Sequence, residues 1–419
     1  MNPLDRFLTD HSKLSRRFFV GLGAAGLASL VGYPKLARSA EITSDLKDAV
    51  AKLDSLMTPS AKFQDVSRGE PIPHTLSEEK RAEVGMTRAS WRLEVMADEE
   101  HPARLRQSMT KADGTALDFA ALMDLAKTHA VRFAKVMTCL NIGCPLGMGI
   151  WEGVPLRELI WRTQPIENLR RVFYYGYHND KPKQIFRSSL PIGRILEDPY
   201  DLPPVILCYK LNGEWLSPER GGPVRIVVPE AYGYKSIKWL SHVILSNLAV
   251  ANDTYIDGNN DVDSPLKTFA ATLSVPQEVA ANQPFPVTGY AQAGISGLAK
   301  VQYWVCAKGS EPPKDPYFTS QTWTDAVMLD PPEPGKWGGD FPNGSIPADT
   351  VGFDESGRPK TWPMRLGKVH WAALVSGLPA GEYVFRCRTI DEKGQAQPMP
   401  RPFKKGGHAE IEKVGFVVK

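Results

Sequence analysis

Cys139 ends the apolar run Val136-Met137-Thr138 and is followed by Leu140-Asn141-Ile142-Gly143-Cys144-Pro145, too rich in turn formers for a helix. It therefore sits where a strand runs out into a loop. Such an end holds a thiol rigidly with its sulfur open to a pocket, which suits a thiolate ligand to a soft transition metal. A free cysteine is equally at home as a small buried hydrophobe. A second group of residues, Tyr232-Gly233-Tyr234-Lys235-Ser236-Ile237-Lys238-Trp239, offers phosphate chemistry. Gly233 lets the backbone come close, and Lys235, Ser236 and Lys238 supply ammonium and hydrogen-bonding groups. On an open surface the same KxxK pattern is simply solvated. Five cysteines (Cys139, Cys144, Cys208, Cys306, Cys387) show neither CxxC pairs nor CxxCH, which gives no support to a zinc ribbon or covalent c-type haem. Their odd number leaves at least one thiol unpaired.

The elements that must position these residues read as mixed α and β. Residues 91–95 alternate as a half-buried strand, and 117–130 have the apolar spacing of an amphipathic helix leading into the Cys139 strand. Residues 154–161 have helical spacing, with Pro155 tolerated in a first turn. Strands are expected at 172–177, 204–211 and 224–229, with Arg225 in the last and Arg220 in the Arg220-Gly221-Gly222 loop before it. A short helix is expected at 191–196, just after Arg187. From Phe269 onward, short alternating strands at 268–275, 285–291, 300–305 and 382–390 predict a β-sandwich. A Pro-, Gly- and Trp-rich insertion near 308–368 is expected to pack on the first domain or a partner. The acidic stretch 253–263 lacks EF-hand spacing and reads as a linker.

The order of strand, Cys139, Asn141, Gly-rich loop and Trp151-Glu152-Gly153-Val154-Pro155-Leu156-Arg157-Glu158-Leu159 resembles the molybdopterin-binding domain of the sulfite oxidase family. A second block resembles the same family in the same order. It runs from Tyr209-Lys210-Leu211-Asn212-Gly213-Glu214 through Gly222-Pro223-Val224-Arg225 to Trp239-Leu240. The resemblance implies a molybdenum-molybdopterin cofactor with Cys139 on the metal. It also implies a cofactor-binding set of Asn141, Arg220, Arg225, Gly233, Lys235, Ser236 and Lys238, with Arg68 and His74 as further candidates. The implied fold is α+β, a sulfite-oxidase-type molybdopterin domain followed by an immunoglobulin-like sandwich, Glu382–Gly394 resembling the last strands of the family's dimerisation domain and so allowing a homodimer.

At 419 residues, with 42% hydrophobic and 23% charged residues, the chain has room for two domains. The expected division is an export signal at 1–40, a catalytic domain at 41–265 and a sandwich at 266–419. The signal rests on Ser15-Arg16-Arg17-Phe18-Phe19, a twin-arginine pattern, followed by a Gly/Ala-rich run too short for a good membrane span. It predicts a periplasmic location. A net charge of +3 with dispersed Lys and Arg argues against nucleic acid as a partner. The resemblance implies oxygen-atom transfer on sulfite or a related sulfur compound, with electrons leaving to a separate carrier such as a c-type cytochrome. Residues 144–149 carry no cation for an oxyanion, leaving Arg68 or Arg187 to supply one. That keeps open reduction of an S-oxide or N-oxide, and a non-catalytic subunit retaining the fold.

Overall fold

The strand that ends at Cys139, Val131–Thr138, pairs along its whole length with Pro145–Pro155, Lys135 lying opposite Gly149 and Thr138 opposite Pro145. In the computed structural model this hairpin forms the middle of a sheet ordered Glu214–Trp215, Ile206–Leu211, Pro145–Pro155, Val131–Thr138, Thr350–Val351, with Arg225–Val227 also on Ile206–Leu211. The structure describes residues 44–419 apart from 141–143, 182–183, 200, 259, 312–314, 316–317, 342–343, 398–406 and 408–409. The expected export signal and Asn141 lie outside the described residues.

Pro145–Pro155 is a correction to the sequence reading, which has a loop there and a helix from Val154. The strand is central and almost wholly buried, so its residues do not alternate. Its glycines mark close approaches rather than turns: a Cβ on Gly147 would lie 2.5 Å from the Phe63 ring. The helix starts later, at Arg157–Arg162.

A second sheet, ordered Leu117–Asp118, Arg92–Ala97, Leu240–Ser246, Arg171–Gly176, Arg187–Pro191, joins distant parts of the chain. The helix Phe119–His129, capped by the Asp118 carboxylate on the Ala121 N–H at 2.8 Å, buries Leu122 and Leu125 in the core shared by these two sheets. The helix and the strands Arg92–Ala97 and Arg171–Gly176 follow the sequence expectation to within two residues, whereas Leu117–Asp118, Arg187–Pro191 and Leu240–Ser246 are strands that the sequence reading does not contain.

Beyond Phe269 two sheets face each other as an immunoglobulin-like sandwich. One is Phe269–Ser274, Phe285–Gln292, Lys368–Val375, Val327–Met328; the other is Glu278–Val279, Val414–Val418, Gly381–Ile390, Lys300–Ala307, Thr324–Asp325. Phe285, Val301, Trp371, Phe385 and Phe416 fill the space between them. The insertion spans both regions. Its Thr350–Val351 adds a parallel edge strand beside Arg132 and Phe133, the Leu366 carbonyl accepts from the Val136 N–H at 2.7 Å, and Trp337, Phe341 and Phe353 pack with Met57, Val136 and Met148. Trp337 is fully buried at the centre of this cluster. Its replacement by alanine should cost about 3–5 kcal/mol, the usual range for a buried aromatic. A chemical-denaturation midpoint indistinguishable from the parent's would show that this cluster contributes little.

Candidate cofactor site

Cys139 is the first residue past its strand. It is half-buried, and its N–H donates to the Cys144 carbonyl at 3.3 Å, which holds the two cysteines opposite each other. Thr138, immediately before it, donates its hydroxyl to the side-chain carbonyl of Gln292, whose amide donates to the Lys267 carbonyl at 2.7 Å. The sandwich thus grips the end of the thiol-bearing strand. Burial, then the nearby Cys139, push the Cys144 thiol up from its ordinary value.

Cys139 opens on a cavity of about 410 Å³. Among the described residues, the cationic side chains Arg68, Arg220, Arg225 and Lys238 line it. Arg225 is buried on its strand, donating from Nη1 to the Arg220 carbonyl at 2.9 Å and from Nη2 to the Ser236 carbonyl at 2.5 Å. Its guanidinium lies 5.3 Å from the centre of the Trp151 ring, and burial pulls its pKa down to about 10. Arg220 is buried beside it, with Nη2 2.5 Å from the Glu219 carboxylate. The Nε groups of both arginines are buried without a hydrogen-bond partner in the protein. Two orphaned guanidinium donors at one wall are costly unless an acceptor joins them.

Lys238 donates to the Asp65 carboxylate at 2.8 Å, Ser67 Oγ at 2.6 Å and the Glu219 carbonyl at 2.7 Å. Burial, then Arg225, pull its pKa down to about 8. Burial alone would raise Asp65; the bonds from Lys238 and Ser67 outweigh it and hold the carboxyl at about 2. Gly221, at φ +93°, is in the left-handed region, and a Cβ there would meet the Lys238 side chain at 2.6 Å, so the glycine seats this lysine.

The other expected residues divide. Gly233 and Ser236 line the cavity, Gly233 with only ordinary contacts around an added Cβ; the Ser236 hydroxyl is taken by the Val228 N–H at 3.1 Å. Lys235 is corrected: its ammonium turns into the core, on the Ser189 carbonyl at 2.8 Å and the Asp253 carboxylate at 2.5 Å. Asp253 also accepts from Ser188 and Ser189, so the presumed acidic linker begins with a buried structural carboxylate. Arg68 lines the cavity. His74 does not, lying 3.7 Å from Asp65, and neither does Arg187, whose Nε donates to the Asn252 carbonyl at 2.8 Å. Sequence reasoning missed the aromatic wall of Phe63, Trp151, Phe186, Tyr234, Trp239 and Tyr255, and also His178. Tyr234 and Trp239 flank the lysines of the Tyr232–Trp239 block and Trp151 opens the Trp151–Leu159 block, so these carried a signal; Phe63, Phe186 and Tyr255 are scattered along the chain and meet only through folding.

Comparison with known proteins decides what this arrangement serves. Residues 82–253 match the oxidoreductase molybdopterin-binding domain model. They form a molybdopterin-binding oxidoreductase domain, similar to those of nitrate reductases and sulfite oxidase. The NADH nitrate reductase of Ulva prolifera is 25% identical over 326 residues, 66% of this chain and 33% of that protein. The mitochondrial sulfite oxidase of Drosophila melanogaster is 30% identical over 104 residues, 24% of this chain and 18% of that protein. The chain spans about a tenth to a third of the length of the curated nitrate reductases and sulfite oxidase it matches. In fold it is similar to the sulfane dehydrogenase SoxCD of Paracoccus pantotrophus, with TM-score 0.56, 15% identity and coverage of 91% of this chain and 87% of that one.

The family's cofactor is molybdenum-molybdopterin, and the residues present fit it. The orphaned Nε donors of Arg220 and Arg225 suit a phosphate, and Cys139 supplies a soft ligand on the same cavity. Lys238 is an ammonium below about pH 8 and loses its charge above it. Binding of inorganic pyrophosphate to cofactor-free protein should therefore weaken as pH rises through about 8, and Lys238→Met should flatten that dependence. A parent profile already flat from pH 7 to pH 9 by titration calorimetry would remove Lys238 from the anion site.

Proposed function

We propose that this protein catalyses molybdenum-dependent oxygen-atom transfer on a sulfur compound, sulfite or a relative of it, and passes two electrons to a separate carrier such as a c-type cytochrome. The observation that carries the reading is one cavity lined by both a half-buried thiol, Cys139, and two buried arginines with unsatisfied Nε donors. Bound there, the cofactor supplies a metal centre that exchanges an oxygen atom and two electrons. Oxidising sulfite to sulfate takes that oxygen from water and releases two protons with the two electrons.

The chain's own part is positioning. Cys139 fixes the metal from a strand end gripped by Gln292; Arg220 and Arg225 hold the cofactor's phosphate; the aromatic wall limits water at the reacting atoms. His178 also lines the cavity, and burial, then Arg68, lower its pKa and so favour the neutral imidazole. The twin-arginine motif at Arg16-Arg17 supports export of the folded, loaded chain to the periplasm. One specific observation favours a second reading, reduction of an S-oxide or N-oxide. Residues 144–149 carry no cation and Arg187 stands outside the cavity, so an inorganic dianion finds few partners.

Cys139→Ser should give a folded, pterin-containing protein without detectable turnover, because a hydroxyl is a poor soft-metal ligand while the phosphate anchors persist. Cys144→Ser should keep most activity. Turnover is measured with sulfite and an artificial electron acceptor, and molybdenum by elemental analysis. Full activity in Cys139→Ser would refute Cys139 as the metal ligand, and protein without molybdenum from a cofactor-competent host would end the proposal and favour a non-catalytic subunit.

A further inference from the structure

Of the four cations that line the cavity among the described residues, three are committed. Arg220 and Arg225 face the cofactor's phosphate on the reading above, and Lys238 already donates to Asp65, Ser67 and the Glu219 carbonyl. Arg68 differs. It is exposed, it lies 4.7 Å from the Tyr255 ring centre and 5.3 Å from that of Phe186, and its Nη2 donates to the Tyr255 hydroxyl. A guanidinium has five N–H donors in a planar fork, so this bond leaves others for a ligand while the two rings fix its plane.

The surfaces around it are apolar. Phe186 and Tyr234 pack edge-to-face on Tyr255 at 5.3 and 5.5 Å. The Tyr234 hydroxyl donates to the Val262 carbonyl at 2.5 Å, so that ring offers the cavity carbon rather than a donor. His178, lining the same cavity, is pushed toward its neutral form by burial, then by Arg68. Such a mouth compensates one negative charge and removes apolar surface from water. A second negative charge would lose hydration without a partner.

We propose that the cavity mouth is a receptor for an organic anion with a single charged sulfur-oxide or similar group, that group on Arg68 and its apolar body against Phe186, Tyr234 and Tyr255. This rests on the oxygen-transfer reading and narrows its substrate from inorganic sulfite to an organosulfur anion. Arg68 sets specificity, and Tyr255 positions Arg68.

The test is calorimetric titration of the full mature protein, its molybdenum content measured in parallel, with benzenesulfonate and with sulfate at matched ionic strength. Benzenesulfonate should bind at least about 10-fold more tightly than sulfate, a difference of roughly 1.4 kcal/mol. Arg68→Gln should remove most of that preference, Arg68→Lys should restore part of it, and Tyr255→Phe should weaken benzenesulfonate several-fold; circular dichroism checks that each variant is folded. Sulfate binding as tightly as benzenesulfonate, or a folded Arg68→Gln protein with undiminished benzenesulfonate affinity, would overturn the proposal. Because binding is read without turnover, those outcomes in a molybdenum-loaded protein strike this proposal alone, whereas absence of molybdenum strikes the oxygen-transfer reading.

Discussion

Burying positive charge without matching negative charge is the constraint around which this site is built. Arg220, Arg225 and Lys238 sit within one wall of one cavity, and the carboxylates that meet them there are Asp65, on Lys238, and the part-exposed Glu219, on Arg220. The cost shows in the downward pull that burial exerts on Arg225 and Lys238. Carbonyls offset part of it, from Arg220 and Ser236 for Arg225 and from Glu219 for Lys238, but the two Nε groups stay unpaired. A wall of this kind is destabilising in isolation and favourable around an anion, which is how a protein stores affinity for a phosphate-bearing cofactor.

The thiol that lines the same cavity is placed by residues far away in sequence. Thr138 is held by Gln292 of the sandwich, Val136 by the Leu366 carbonyl, and Arg132 and Phe133 by the Thr350–Val351 edge strand. The C-terminal half therefore completes the sheet that carries Cys139 and packs a second apolar cluster beneath it. A substitution in the sandwich can alter the cofactor site by moving the end of this strand, with no contact to the cofactor itself.

Much of this was legible in the sequence. The strand end at Cys139, the helix before it, four of the nine described sandwich strands and the arginine pair all follow from local pattern or family resemblance. Pro145–Pro155 escaped because a central strand covered on both faces has no alternation to read, and its glycines, required by neighbours such as Phe63, imitate a loop. The aromatic wall escaped because its members come from at least five separate segments between Phe63 and Tyr255, and nothing local distinguishes a ring that lines a cavity from one in the core.

Lys235 and Lys238 show where such reading stops. Both lie in one turn, Lys235 buried and Lys238 part-buried, and the spacing offers both to a phosphate. Their destinations are set by carboxylates elsewhere: Asp253 draws Lys235 into the core with Ser188 and Ser189, while Asp65 meets Lys238 at the cavity. Two residues past Asp253, Tyr255 fixes Arg68 at the mouth. One short segment thus braces the Gly233–Lys235 turn at its start and orients the exposed guanidinium just beyond, so the buried cationic wall and the exposed Arg68 share a support. A shift of this segment would be felt at both, which ties the position of Arg68 to the integrity of the Lys235–Asp253 pair.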